Sequence, residues 1–310
     1  MVLNAVGIVL TIFLMIGVGM LLIQLGWLKD EHAEVISRLV VSVGLPAMII
    51  NNIFTQFTRD ELLSSAVGIL IPVVSIFVTG LVGLAAARVF HIEKARRGVF
   101  VCMVTFSNSV FIGVPVSLAL FGEKAMPYAL MYYIANTSLF WSLGYTLMRR
   151  DSGQNGAVDV KKLLPLPLTT FLICIALVLL GVWLPTFILD AAKYIGNLVT
   201  PLSMIFTGMV LMRMLKSGKV RWQKGYVLLL IGRFLVAPGL LLLTARLFPT
   251  APELMRNALL IQAAMPVMSQ TPIVAKACGG DEEYAAGGVA LTALCSLIAI
   301  PGYMALVPYL

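Results

Sequence analysis

A group of small polar residues interrupts a long apolar segment near residue 108. Ser107, Asn108 and Ser109 are followed by Gly113 and Pro115. Proline removes a backbone donor and clashes with the preceding turn, and glycine weakens a helix further. In hydrocarbon, freed backbone groups persist only where protein or a water-filled cavity satisfies them. The pattern predicts a helix broken inside a membrane, which is either a binding site or a proline kink used for packing.

A second segment of the same character lies 158 residues further along the chain. It contains Pro266, Ser269, Gln270, Thr271 and Pro272. The N-termini of half-helices present free N–H groups that suit anions, whereas unwound carbonyls and side-chain oxygens suit a small cation. Two breaks that meet at the same depth therefore predict a binding site for an anionic substrate, and they favour a functional site over a packing kink.

Neutral oxygens near the first break form a candidate Na⁺ site. The residues are Ser107, Asn108, Asn136, Thr137 and Gln270. Ordinary hydrogen bonding between helices explains the same residues without a cation and is the simpler interpretation. No Asp or Glu lies well inside an apolar span, which disfavours a proton relay built on a carboxylate. We expect no cofactor, and coupling to Na⁺ or H⁺ stays open.

Two further sites complete the predicted substrate-binding set. Arg233 is the clear charge inside an apolar span, and such a charge is a functional hypothesis by default. It would bind a substrate carboxylate, hold the carbonyl end of a broken helix, or snorkel to the interface. Asn51 lies in a span weakened by Gly44 and Pro46. It would line the substrate path or face the outer interface.

Composition places the chain among helical membrane proteins. It is 60% hydrophobic and 12% charged, with a mean hydropathy of +0.99. The apolar runs are continuous rather than alternating, which excludes a β-barrel. The net charge of +8 reflects basic cytoplasmic loops rather than nucleic-acid binding. The four cysteines have no metal-ligand spacing, and the spans contain no His and no deep acid. An intramembrane enzyme is therefore not expected.

About 20 apolar residues are needed to cross a bilayer, and the sequence predicts ten such spans. A polar linker divides them into a first repeat at residues 1–148, a short cytoplasmic connection at 149–163 and a second repeat at 164–310. The predicted spans cover residues 3–25, 34–56, 62–88, 98–121, 126–148, 164–184, 191–213, 225–247, 255–277 and 284–308.

Charge and internal similarity predict that the two repeats are inverted. The odd-numbered connections carry 16 Lys and Arg residues and the even-numbered ones carry 5, which places the odd ones in the cytoplasm and both termini outside. Ala87–Phe90 recurs as Ala245–Phe248, and Ser138–Leu139 recurs as Ser296–Leu297. Because each repeat has five spans, the second enters the membrane upside down. Inverted repeats with broken helices are typical of secondary transporters.

At these motifs the chain resembles the auxin efflux carrier family, within the bile acid/sodium symporter-like superfamily. The similarity lies in Asn108–Pro115, Arg233–Pro238, Ile261–Pro266 and Leu39–Pro46. It implies a scaffold of spans 1, 2, 6 and 7 and a mobile unit of spans 3–5 and 8–10, which carries an anion by an elevator-like movement, often within a homodimer. It also implies a site that includes Asn108 and the glycine and prolines of the two breaks.

The short central connection is similar to the prokaryotic branch, in which several members are described as malate or malonate carriers. The resemblance thus implies a carrier of small carboxylates in a bacterial inner membrane. An auxin-like or indole-carboxylate efflux carrier is the alternative. An anion channel is less favoured, because Arg233 alone is a poor ring of charge. A sensor would usually need an appended signalling domain.

Overall fold

Helices form nearly all of the chain that the structure, a computed structural model, describes: residues 2–56, 58–59, 66–151, 166–216 and 222–307. Most of the predicted connection 149–163 and the start of the predicted span 62–88 lie outside those residues. The α-helices are α1 (Val2–Gln24), α2 (Asp30–Leu39), α3 (Leu45–Gln56), α4 (Leu70–Val89), α5 (Lys94–Thr105), α6 (Val114–Phe121), α7 (Met126–Leu139), α8 (Tyr145–Asp151), α9 (Leu166–Leu179), α10 (Thr186–Gly196), α11 (Val199–Lys216), α12 (Tyr226–Ile231), α13 (Ala237–Ala245), α14 (Glu253–Ala263), α15 (Thr271–Ala277) and α16 (Glu282–Leu306).

Wider π-helical turns join several of these helices. The π-helical segments are Val40–Gly44, Ser109–Gly113, Phe140–Gly144 and Gly232–Val236. All except Phe140–Gly144 end two residues before a proline. A proline cannot donate to the carbonyl four residues earlier, so the backbone before it changes its hydrogen-bond register. Three of the four bulges therefore follow from the same prolines that weaken the spans in the sequence.

The carbonyl that Pro238 leaves free has a side-chain partner. It belongs to Phe234, four residues before the proline, and the Tyr303 hydroxyl of α16 donates a hydrogen bond to it. A buried carbonyl without such a partner would destabilise the fold. Tyr303 of α16 thus supplies the hydrogen bond that the carbonyl of Phe234 lacks within its own helix.

The described helices are those of a polytopic membrane protein. Helical segments Glu31–Gln56, Leu70–Val89, Thr186–Arg213, Tyr226–Ala245 and Glu282–Leu306 are each long and apolar enough to cross a bilayer. Shorter apolar helices accompany them. Helical segments also occupy the remaining predicted spans, but the number of crossings and the inversion of the repeats stay predictions.

Two groups of helices pack mainly among themselves. In the first, α1 lies along α11, and α9 and α10 lie against α3. In the second, α4 packs against α5, α7 and α13, and α14 packs against α7 and α13. The helices named in the first group lie in predicted spans 1, 2, 6 and 7. Those named in the second lie in predicted spans 3–5, 8 and 9.

Glycines allow α1 and α11 to approach closely. A Cβ atom on Gly19 would lie 2.2 Å from the carbonyl oxygen of Ile205. A Cβ atom on Gly208 would lie 2.0 Å from the carbonyl oxygen of Ile16. Small residues at such contacts are the usual means of helix association in membranes. The α1–α11 pair is therefore a tight backbone-to-backbone contact.

One polar cluster joins the first turns of α5, α12 and α16. Arg96 Nε lies 2.7 Å from Asp281 Oδ2, and the guanidinium lies 5.3 Å from the centre of the Tyr284 ring. Tyr226 stacks on Tyr284 and donates a hydrogen bond of 2.9 Å to its carbonyl. The starts of these three helices therefore lie at the same end of the molecule.

Candidate functional site

The two interrupted segments cross as a short antiparallel pair. Ser107 and Val267 form an isolated β-bridge. The N–H of Asn108 donates to the carbonyl of Pro266 at 2.7 Å, and the N–H of Met268 donates to the carbonyl of Phe106 at 3.2 Å. Each break therefore supplies backbone partners for the other, as buried main-chain groups require.

Asn108 connects the two breaks through its side chain as well. Its Oδ1 accepts a hydrogen bond from the N–H of Phe111 at 3.2 Å, which caps the helix that follows. Its Nδ2 donates to Ser269 Oγ at 2.7 Å. The residue is buried, so both bonds lie inside the protein. Asn108 thus caps the helix that follows the first break and links the first break to the second.

Polar side chains from neighbouring helices bind the crossing backbone on both sides. The carboxamide of Asn136 accepts from the N–H of Ser107 at 3.1 Å and donates to its carbonyl at 3.0 Å. Asn136 Nδ2 also lies 3.3 Å from Ser109 Oγ. In the second break, Thr292 Oγ1 accepts a hydrogen bond from the N–H of Val267 at 3.2 Å. The geometry of Asn136 is that of interhelical hydrogen bonding, the simpler of the two sequence interpretations.

A cavity of about 220 Å³ lies beside the crossing. Its polar surface comes from the first break, from Thr137 and from Gln270, and its aromatic surface includes Tyr133 and Trp141. Ser107 is buried, and its hydroxyl has no hydrogen-bond partner among the described residues. The lining residues are Val41, Ser107, Asn108, Ser109, Val110, Phe111, Tyr133, Thr137, Trp141, Met268 and Gln270.

A much smaller gap lies on the other side of the Asn108–Ser269 contact. Its volume is about 10 Å³, which is at the lower limit for one water molecule. Thr207 and Val210 of α11, Pro266 and Ser269 are among the residues around it. The space at the crossing is therefore strongly one-sided.

The remaining residues of the two breaks lie in packed positions. A Cβ atom on Gly113 would lie 2.2 Å from Gln262 Oε1, so this glycine makes room for a buried glutamine. Pro115 is buried in the first turn of α6. Thr271 and Pro272 form the first turn of α15, where Thr271 Oγ1 donates to the carbonyl of Met268 at 2.8 Å.

Two predicted site residues lie away from the cavity lining. Asn51 is buried in α3, where its carbonyl accepts a hydrogen bond from Thr55, and it is not among the residues that line the cavity. Arg233 is fully buried, and its guanidinium donates to the carbonyls of Val104, at 2.8 Å, and Ala263. Snorkelling is therefore wrong for Arg233. Its bonds are those expected of a residue that holds the carbonyl end of a broken helix.

Several residues of the crossing were missed in the sequence. Gln262 lies in the motif before Pro266 but was not predicted to contact Gly113. Tyr133 and Trp141 are each four residues from Thr137, and this spacing places all three on one helix face. That periodicity was the available signal. Thr292 carries no comparable signal, because a single threonine in an apolar helix is common.

The described residues contain no cluster of three or more His, Cys, Asp or Glu side chains that could hold a metal ion. A cation at the crossing would therefore be bound by neutral oxygens. Asn136 uses its oxygen on the N–H of Ser107, and Asn108, which also lines the cavity, uses its oxygen on the N–H of Phe111. The other members of the predicted cation set at the cavity are Ser107, Thr137 and Gln270.

Comparison with known proteins identifies the family. A family model described as "Membrane transport protein" matches residues 5–164 and 155–304. An uncharacterized transporter of Methanocaldococcus jannaschii is 27% identical over 301 residues, which cover 94% of this chain and 96% of the relative. An uncharacterized transporter of Methanothermobacter thermautotrophicus is 30% identical over 207 residues, 66% of this chain and 67% of the relative. The chain is therefore an integral membrane protein that belongs to the membrane transport protein family, the auxin efflux carrier-like family that its motifs resemble.

Proposed function

We propose that this protein is a secondary transporter that moves small organic anions, malate- or malonate-like carboxylates, by elevator-type alternating access. The observation that carries the proposal is the crossing of two broken helices beside a cavity of about 220 Å³. Secondary transporters bind their substrates where discontinuous helices meet. A cavity of this volume has room for several water molecules, which suits a small metabolite.

Backbone dipoles and hydroxyls would recognise the anion. The lining residues include no charged side chain. The helical segment Ser109–Phe121 begins at the cavity, and the helix dipole gives that end partial positive charge. The N–H groups of Ser109, Phe111 and Ile112 already bond to Ser107 and Asn108. The buried Ser107 hydroxyl, which has no partner among the described residues, is the donor that the site offers. An anion channel is disfavoured, because its pore would usually be lined by rings of charge.

An indole-carboxylate carrier is the second candidate. Tyr133 and Trp141 lie in the cavity wall, and aromatic rings favour stacked or edge-to-face contact with an aromatic ligand. A carboxylate on such a ligand would use the same donors at the first break. The two candidates therefore share the site and differ in the body of the substrate.

The packing of the helices supports an elevator mechanism. The scaffold would be α1–α3 with α9–α11, and the mobile unit would contain the crossing and its neighbouring helices. At the boundary, Phe111 of the first break stacks on Phe206 of α11, with ring centres 4.3 Å apart. A face built mainly of ring and aliphatic contacts has few directional bonds to break when one group moves past the other.

The predicted topology places both termini outside the plasma membrane, in two inverted five-span repeats. The common location of the starts of α5, α12 and α16 supports it, because all three follow odd-numbered connections. In this orientation Val41 and Trp141 lie toward the cytoplasmic ends of their spans, so the cavity would face the cytoplasm. A homodimer is part of the proposal through family resemblance alone.

Counterflow in proteoliposomes tests the proposal. Wild-type protein should take up labelled malate or malonate saturably, with stimulation by unlabelled substrate on the opposite side. Asn108→Ala should reduce uptake about tenfold or more, because it removes two buried hydrogen bonds at the site. Asn197→Ala, at an exposed asparagine between α10 and α11, is the matched control. Each assay is run with and without Na⁺ and with an indole carboxylate.

Non-saturable flux without stimulation from the opposite side would indicate a channel instead. Uptake by Asn108→Ala equal to that of Asn197→Ala would remove the crossing from the transport path.

A further inference from the structure

We propose that Arg233 is a positioning residue of the transport site: it holds the two broken helices in register by binding their carbonyl ends and does not touch the substrate. The role of the crossing as the substrate site rests on the proposed function. The placement of Arg233 rests on its contacts alone. Its side chain is fully buried, within the π-helical segment Gly232–Val236.

The two acceptors of Arg233 lie at the C-terminal ends of the two helices that lead into the breaks. Val104 is the next-to-last residue of α5, and Ala263 is the last residue of α14. The final carbonyls of a helix have no partner within it, and the helix dipole places about half a negative charge at that end. One guanidinium therefore lies between two negative helix ends and donates to a carbonyl from each.

The surrounding backbone allows this approach. A Cβ atom on Gly232 would lie 2.8 Å from a methyl group of Val104, so the glycine beside Arg233 lets its helix lie close to α5. The planar guanidinium has separate nitrogens for separate acceptors. Arg233 Nη1 serves Val104, and Nη2 serves Ala263. A lysine has its three donors on one nitrogen and lacks this fixed spacing between two donor nitrogens.

The carbonyls that Arg233 binds lie only a few residues before the crossing in both segments. Phe106, two residues after Val104, accepts the bond from Met268. Pro266, three residues after Ala263, accepts the bond from Asn108. The separation that Arg233 sets between Val104 and Ala263 therefore constrains the registration of the two breaks, and with it the Asn108–Ser269 contact and the cavity wall.

A disulfide between the breaks measures this register without any substrate. Ser107 and Val267 form the bridge pair, and the flanking residues make the backbone bonds, so they correspond to a non-hydrogen-bonded pair with Cα atoms about 4.5 Å apart. That separation permits a disulfide. Protein carrying Ser107→Cys and Val267→Cys should crosslink rapidly with copper phenanthroline as oxidant. Ser107→Cys alone reports the background from the four native cysteines.

In the crosslinking assay, Arg233→Gln should slow disulfide formation about tenfold or more, since charge-assisted hydrogen bonds contribute on that scale. Arg233→Lys should show an intermediate rate. Arg246→Gln, at an exposed arginine at the end of the same predicted span, should match the parent. If Arg233→Gln does not yield folded protein, Arg233→Lys carries the test. Crosslinking at the parental rate in the folded variant would overturn the proposal.

A second measurement separates positioning from substrate binding. In proteoliposomes, Arg233→Lys should lower the maximal rate for a dicarboxylate and for its monoamide by the same factor, because Arg233 contacts neither. A loss confined to the dicarboxylate would show that Arg233 is the counter-ion and would overturn the proposal. Failure of the wild-type protein to transport any carboxylate would instead reject the proposed function and leave the crosslinking result standing.

Discussion

The amide of Asn136 gives the sharpest test of how the first break is held inside the membrane. Replacing Asn136 by Ala removes the acceptor for the N–H of Ser107 and the donor to its carbonyl, as well as the contact with Ser109. Asn136 and Ser107 are both fully buried. Each buried backbone group left without a partner costs about 1–3 kcal/mol, so the two groups of Ser107 together would cost about 2–6 kcal/mol.

The neighbouring cavity lowers that expectation. Water that enters the cavity can reach the Ser107 backbone and replace part of the lost bonding. We therefore expect Asn136→Ala to reduce the free energy of unfolding by about 2–3 kcal/mol, near the lower end of the range. The measurement is reversible unfolding in mixed detergent micelles, followed by tryptophan fluorescence, with wild-type protein in parallel.

Two companion variants separate hydrogen bonding from packing. Asn136→Leu restores most of the volume but none of the bonds, and it should be at least as unstable as Asn136→Ala. Ser138→Ala, a partly buried residue on the same helix, should stay within about 0.5 kcal/mol of wild type, as surface-like substitutions do. Recovery of stability in Asn136→Leu would refute the reasoning, because it would assign the loss to packing rather than to the Ser107 backbone.

Three other substitutions have defined outcomes. Gly113→Ala should destabilise the protein by about 1–3 kcal/mol in the same unfolding assay, since its Cβ would overlap Gln262. Gly239→Ala, where a Cβ meets nothing within 4 Å, is the control. Recovery of stability on adding Gln262→Ala would show that the overlap with Gln262 causes the loss. Gly208→Val should destabilise the protein at least as much as Gly113→Ala, because even a Cβ atom at residue 208 overlaps the α1 backbone. Gly17→Ala in α1, where a Cβ meets nothing within 4 Å, is the control. Equal stability of Gly208→Val and Gly17→Ala would contradict the close α1–α11 contact. Arg96→Ala should cost no more than about 1 kcal/mol, because its ion pair with Asp281 is partly exposed, and the difference from wild type should shrink at high salt; a salt-independent loss would point to lost packing on Tyr284.

The sequence predicted the breaks well because proline and glycine act locally. A proline removes one N–H wherever it stands, so Pro115, Pro266 and Pro272 mark interrupted helices without knowledge of their neighbours. The structure places helix ends at these residues and crosses the two segments. The π-helical turns before Pro46, Pro115 and Pro238 follow from the same local rule, although their register could not be read from composition.

Side-chain partners were harder to predict, because they depend on which helix faces meet. Arg233 shows the difference. Its burial cost indicated a function, but a substrate carboxylate and a helix carbonyl are both reasonable partners for a guanidinium. Only the approach of α5 and α14 to the same point provides the two carbonyls. Asn51 shows the same limit, since an asparagine in a weakened span carries no signal of the direction in which it points.

The crossing is held together by main-chain hydrogen bonds and by a separate side-chain hydrogen bond. Main-chain groups make the bonds from Asn108 to Pro266 and from Met268 to Phe106, so no substitution other than one to proline removes a donor or acceptor from them. The side-chain link from Asn108 to Ser269 is additional. Loss of that link can alter what the cavity binds while the two breaks still pair. Asn136 and Arg233, in contrast, act on the backbone itself, so their replacement should change stability or registration together with transport. Measuring both transport and stability or registration in each variant therefore distinguishes residues that bind substrate from residues that maintain the structure of the site.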